Sequence, residues 1–369
     1  MPETPKEPES EAPAETEIPL ATAAEILADM TLPQKIGQLF IVRPDALVQA
    51  PKKKGRATSL TEDMTAALEK YPVGGFVQFG GNITGPDQIR IFNADLSRAC
   101  GIAPFLAVDE EGGAVSRLAN KKSFGLPLYE SAAAVGAQGP EAALEMGRTI
   151  GAYLRRYGFN MDFAPVADTF TNPDNTVIGT RAFSDDPDRV ALCAGAMADG
   201  LRENGILPVF KHFPGHGDTA EDSHKKLAVS RKTLDELMEC EWVPFLRAGP
   251  GDCIMSAHIA LPEVTGDMTP STMNAKVIQG CLREKLGYQG LVITDALGMG
   301  AVSDSYSPAE AAASALKAGC DMLLMPASLP EAFEGVAAAV EDGSFPPEEL
   351  DRTVMRILDV KIQQGIIAG

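Results

Sequence analysis

Eight short apolar runs, each followed by a longer stretch of helical period, leave this chain few folds to choose from. The runs are IGQLFIV (36–42), GGFVQFG (74–80), PFLAVD (104–109), NMDFAPVAD (160–168), ILPVFKHF (206–213), DCIMSAHIA (252–260), GLVITDAL (290–297) and DMLLMP (321–326). Runs this short and this apolar read as buried strands. Between them, PDQIRIFNADLSRAC, PEAALEMGRTIGAYLRRYG, DRVALCAGAMADGLREN and KTLDELMECEWVPFLRAG carry helical periodicity, several opened by Pro or Asp and closed by Gly. Strands alternating with helices cannot pair as hairpins, so the sheet must be parallel. Eight such units predict an α/β chain closed into a single (β/α)8 barrel of the TIM type rather than an open doubly wound sheet. No G-x-G-x-x-G follows the first run, which argues against a dinucleotide site. A chain of 369 residues buries roughly 75% of its unfolded surface, so neither a metal nor a disulfide is needed as a staple.

Residues 2–19 hold six Glu, five Pro and one Lys and almost nothing apolar. That composition cannot offset the entropy of ordering, so a disordered tail or stalk is expected over 1–20 and the barrel over 21–369. A stalk suits a domain held off a surface, and its abrupt start at Met1 is what trimming of an export or lipoprotein signal would leave. The expected location is therefore extracellular or anchored at the cell surface, the alternative being a cytoplasmic protein with a naturally disordered terminus. The net charge of −19 and pI near 4.7 repel nucleic acid and anionic membranes. No run of 18 apolar residues exists, so no membrane insertion is expected. The six cysteines are scattered without close spacing and read as small core residues. The sequence does not set the oligomeric state, and a monomer is the favoured expectation.

A barrel collects its chemistry at the C-terminal strand ends. Here those ends carry Asp109, Asp168, Lys211 with His212, His258 and Asp295. Unpaired charges inside a barrel are expensive, so these residues point to a site. The segment KHFPGHGDTAEDSHKKL (211–227) also brings three of the four histidines within thirteen positions. Two chemistries fit it. His212, His216 and His224 with Asp218 or Asp222 would make a zinc site of a metal-dependent amidohydrolase. Alternatively, a loop carries an acid/base while the strand ends hold a sugar. The metal reading lacks an H-x-H on the first strand, and its Asp would be expected on the eighth strand rather than the seventh.

KHFPGHG followed by DSH, with AVDEEGGAVSRL, NMDFAPVAD, NPDNTVIGTRAFSDDP and GLVITDALGMGAV, resembles the β-N-acetylglucosaminidases of glycoside hydrolase family 3. The likeness runs from about residue 25 to 365, in the family's order. Two positions depart from it: Ala114, where Arg usually follows the paired glycines, and Ala296, where an acidic residue commonly follows the nucleophile. The resemblance implies that Asp295 is the nucleophile and that Asp222 and His224 form a dyad, with His224 the general acid/base and Ser223 a spacer. A carboxylate beside an imidazole favours the imidazolium, which can donate to a leaving oxygen near neutral pH. Sugar-binding roles carry over to Asp109, Arg117, Arg181, Lys211 and His212. The carboxylate would accept from hydroxyls, while Arg, Lys and His would donate. Asp168, His258 and Glu111 are expected behind them as supports, and His216 as a positioner of its loop.

The implied activity is that of a retaining exo-β-N-acetylglucosaminidase working through a covalent glycosyl-enzyme, with neither a metal nor an organic cofactor. Its substrate would be a small GlcNAc-containing glycan or muropeptide from the cell wall. Four alternatives stand beside it: a family 3 β-glucosidase, a glycoside phosphorylase, the amidohydrolase, and a non-catalytic glycan-binding module. The glucosidases usually carry the acid/base on a second domain, whereas here DSH lies within the barrel repeat. A chelator separates the amidohydrolase: EDTA should leave the rate unchanged, and a loss restored by zinc would support the metal reading. The basic segment VQAPKKKGRATS (48–59), after the first strand, lies on the active-site side and is expected as a solvated loop or a contact for the leaving group.

Overall fold

The computed structural model describes residues 22–48, 56–220 and 226–367. The expected tail over 1–20 and most of the basic segment lie outside the described residues. The barrel strands are β1 (Phe40–Val42), β2 (Gly75–Gln78), β3 (Phe105–Val108), β4 (Met161–Asp162), β5 (Leu207–Phe213), β6 (Cys253–Ser256), β7 (Leu291–Thr294) and β8 (Leu323–Leu324). Each falls inside one of the eight apolar runs. They pair in the order 7-6-5-4-3-2-1-8, all parallel, and a parallel bridge between Ile293 and Met322 joins β7 to β8 and closes the ring. This is the predicted (β/α)8 barrel. β4 is shorter than its run, because Pro165 has no N–H to give the ladder. The chain touches the sheet again at the Val166–Lys211 bridge.

The outer helices are α1 (Glu62–Lys70), α2 (Pro86–Ala99), α3 (Pro140–Arg156), α4 (Pro187–Arg202), α5 (Leu234–Glu239), α6 (Lys276–Lys285, wound as a π-helix), α7 (Pro308–Ala318), α8 (Leu329–Glu341) and a closing α9 (Pro347–Gln363). Their ends follow the sequence signals. Asp186 caps α4 by accepting from the N–H groups of Asp188 and Arg189, and Ser307 with Glu310 forms a capping box on α7. Helices α3 and α4 approach closely because Gly147 and Gly200 lie where they meet. A Cβ on Gly147 would sit 2.2 Å from the Met197 carbonyl oxygen.

One expected helix breaks. KTLDELMECEWVPFLRAG divides into α5 and a 3₁₀ turn at Pro244–Arg247. Pro244 cannot donate to a continuing helix, and Trp242 is fully buried with Nε1–H donating to the Pro214 carbonyl at 3.0 Å. Burying an aromatic ring stabilises by about 1.5–3 kcal/mol, more than a few helical residues contribute. The same bond fastens the segment to the turn after β5, on the catalytic face.

At the opposite end of the barrel, before β1 and β2, the Lys361 ammonium donates to Gln38 Oε1 (2.7 Å) and the Gly74 carbonyl (3.0 Å), and burial pushes its pKa down to about 7. Among the described residues, no helix is long and apolar enough to cross a membrane.

Candidate active site

The C-terminal strand ends surround a cavity of about 360 Å³. That is within the range of small-molecule sites. Asp109, Arg117, Arg181, Lys211, His212 and Asp295 all line it.

The wall after β3 and β5 is an ionic lattice. Lys211 Nζ donates to Asp109 Oδ1 at 3.0 Å and lies 2.6 Å from Glu111 Oε1. Asp109 Oδ2 accepts from Arg117 Nη2 at 3.1 Å, so Arg117 is both an ion-pair partner and a lining residue. Arg181 grips Glu111 in two-pronged fashion, at 2.8 Å through Nε and 2.7 Å through Nη2. Gly112 (φ 85°) and Gly113 (φ 64°) make the turn between Glu110–Gly112 and the antiparallel Val115–Ser116, which returns Arg117 over Asp109. Beneath the turn, buried Glu110 accepts from the N–H groups of Leu118 and Ala119 and from the Tyr153 hydroxyl, each at 2.9 Å.

Charge compensation fixes protonation on this wall. Burial opposes the charge on Asp109, but Lys211 and Arg117 outweigh it and hold its carboxyl below the ordinary range. Burial likewise opposes the charge on Glu111, yet Lys211 and Arg181 bring its pKa down to about 2. Lys211 is pushed down by burial and more than restored by Glu111 and Asp109, ending above the usual lysine value. It is therefore a fixed cation and cannot act as a base.

Asp168 is fully buried and receives three hydrogen bonds. His212 Nδ1 lies 2.6 Å from Oδ2, and Oδ1 accepts from the backbone N–H of His212 (3.2 Å) and of His216 (2.7 Å). Burial works against its charge, but His212 and His216 keep its carboxyl below the ordinary range. Burial and the neighbouring His212 lower the pKa of His216. Asp168 is the support that the sequence leads one to expect. Glu111, expected as a support, holds Arg181 and Lys211 and also lines the cavity, as does His216, expected as a positioner of its loop.

Asp295 directly follows β7. Its N–H donates to the Ser256 carbonyl at 2.7 Å, and its Oδ1 accepts from the Ala296 N–H at 2.7 Å. Behind it, buried His258 spans Thr272 Oγ1 (2.8 Å at Nδ1) and the Ala296 carbonyl (3.0 Å at Nε2), steadying the residue next to Asp295. Phe79, Phe163, Met255, Met299, Leu324 and Met325 complete the wall with apolar surface that sequence reasoning missed. Phe79 could have been found by the strand-end rule, since it follows β2 directly.

Asp222 and His224 lie outside the described residues. The chain on both sides of them is held: Ser230 Oγ donates to Asp218 Oδ2 at 2.6 Å, and Ala228–Val229 pairs in parallel with Ile259–Ala260. Among the described residues, no three His, Cys, Asp or Glu side chains are grouped so as to hold a metal ion.

The sequence profile described as the glycosyl hydrolase family 3 N-terminal domain matches residues 31–360. The chain belongs to glycosyl hydrolase family 3. Within the family it is similar to β-hexosaminidase LpqI of Mycobacterium tuberculosis, at 35% identity over 81% of this chain and 78% of that protein. It is also similar to β-hexosaminidase A of Pseudoalteromonas piscicida, at 30% identity over 92% of this chain and 62% of the relative. Among solved structures, a family 3 β-N-acetylglucosaminidase from Paenibacillus sp. str. FPU-7 superposes with a TM-score of 0.84 at 35% identity, covering 92% of this chain and 64% of that one. The chain thus spans less than two thirds of the length of two of these three relatives.

Proposed function

We propose that this family 3 chain is a retaining exo-β-N-acetylglucosaminidase that removes terminal β-linked GlcNAc. The observation that carries the reading is one cavity lined both by the Asp295 carboxylate and by the Asp109–Lys211–Glu111–Arg181 lattice with His212. Fixed donors and acceptors of both charges suit a polyhydroxylated ring, and the apolar flank suits its carbon faces. The names of the relatives support the hexosamine: two are β-hexosaminidases and one a β-N-acetylglucosaminidase.

In this reading Asp295 attacks the anomeric carbon while the bond to the aglycone oxygen breaks. His224 gives that oxygen a proton, with Asp222 stabilising the imidazolium. Water then attacks the glycosyl-enzyme, its proton passes to His224, and the Asp295 carboxylate leaves. Two inversions at one carbon give net retention. A GlcNAc-containing cell-wall fragment is the proposed natural substrate. The test is a panel of p-nitrophenyl glycosides: the β-GlcNAc compound should be cleaved far faster than the β-glucoside, with β-GalNAc between. Preference for the β-glucoside would overturn the assignment.

A further inference from the structure

His212 offers the cavity one ring nitrogen, and its surroundings decide whether that nitrogen gives or takes a proton. Nδ1 lies 2.6 Å from Asp168 Oδ2, an acceptor, so Nδ1 carries hydrogen. Nε2 lies 3.4 Å from Arg181 Nη2, a group that only donates, so Nε2 presents its lone pair. Both neighbours select the same tautomer. We propose that Asp168 is a positioning residue which locks the His212 proton on Nδ1, leaving the cavity-facing Nε2 an acceptor whose lone pair a substrate hydroxyl can take in place of the long Arg181 contact. This reverses the donor role expected for His212 from the sequence. The functional part of the inference rests on the reading of this cavity as the sugar site; the tautomer does not.

Asp168→Asn isolates the effect. An amide can still accept through its oxygen from the backbone N–H groups of His212 and His216, which keeps the turn. Its NH₂ would then face Nδ1, and Nδ1 can meet a donor only as an acceptor, so the proton must move to Nε2. There it would confront the Arg181 guanidinium and any donating hydroxyl.

The experiment is ¹⁵N-detected NMR of the histidine side chains in the full chain, with His212→Gln used to assign the His212 signals. The spectrum contains its own reference, because His258 Nε2 faces the Ala296 carbonyl, which can only accept, and must itself be protonated. In the wild type, His212 should show a protonated Nδ1 and an unprotonated Nε2. In Asp168→Asn the pattern should invert, and kcat/KM on an aryl β-GlcNAc should fall about 10- to 100-fold while the melting temperature holds. A wild-type His212 protonated on Nε2 would overturn the proposal, and so would an inverted variant with unchanged kcat/KM. The wild-type spectrum decides the tautomer even if the variant does not fold. It needs no substrate, so a failure of the hexosaminidase reading would show in the glycoside panel and leave the spectrum unaffected.

Discussion

Asp295→Ala is expected to lower turnover of an aryl β-GlcNAc by roughly 10⁴-fold, since the substitution removes the group that forms the covalent intermediate. The fold should survive it. Asp295 is only half-buried, and its backbone N–H bond to Ser256 is untouched by the change. The side chain's bond to the Ala296 N–H is lost, at about 1 kcal/mol. Added azide should then attack the anomeric carbon from the face the carboxylate vacated, forming a C–N bond as the bond from that carbon to the glycosidic oxygen breaks, releasing the phenolate and yielding the α-azide. Retention of more than a few per cent of activity, measured with the melting temperature unchanged, would remove Asp295 from the role.

His224→Ala should separate two substrates. Protonation of the leaving oxygen matters most for a sugar hydroxyl and little for a phenolate that departs unaided. Hydrolysis of a GlcNAc disaccharide should therefore fall about 10²- to 10⁴-fold, while formation of the glycosyl-enzyme from an activated aryl substrate stays within about tenfold of the wild type. Deglycosylation should slow as well, because water has lost its base, so a burst of phenol should precede a slow steady state. Asp222→Asn should act in the same direction more mildly, leaving the imidazole in place but withdrawing the charge that supports it. Equal losses on both substrates, with no burst and no rescue by small nucleophiles, would mean that His224 is not the proton donor.

The barrel is legible in the sequence because its signal is repetitive. Each strand is fully buried and so reads as a continuous apolar run, and the charged residues closing those runs stand out against them. That contrast alone marks Asp109, Lys211, His212 and Asp295. Apolar lining residues give no such contrast: Met255, Met299 and Met325 look like core in sequence and differ only by facing a cavity. The place of Glu111 on the cavity wall is hidden for a related reason. Spacing shows a carboxylate near Asp109 but not that Arg181, seventy residues on, draws it to the cavity wall. The break at Pro244 is readable from the proline, and helical periodicity on either side hides it. The tautomer of His212 depends on two neighbours distant in sequence, Asp168 and Arg181, and no local motif encodes it.

A covalent bond between the sugar and Asp295 can be trapped. A 5-fluoro GlcNAc bearing fluoride as leaving group should glycosylate the enzyme with release of fluoride, then turn over slowly because the ring fluorine destabilises the oxocarbenium-like transition state. Mass spectrometry of the digested protein should place one added fluorosugar on the peptide containing Asp295, and on no other. A label on a different residue, or steady hydrolysis of aryl β-GlcNAc with no trapped adduct at all, would mean that Asp295 is not the nucleophile.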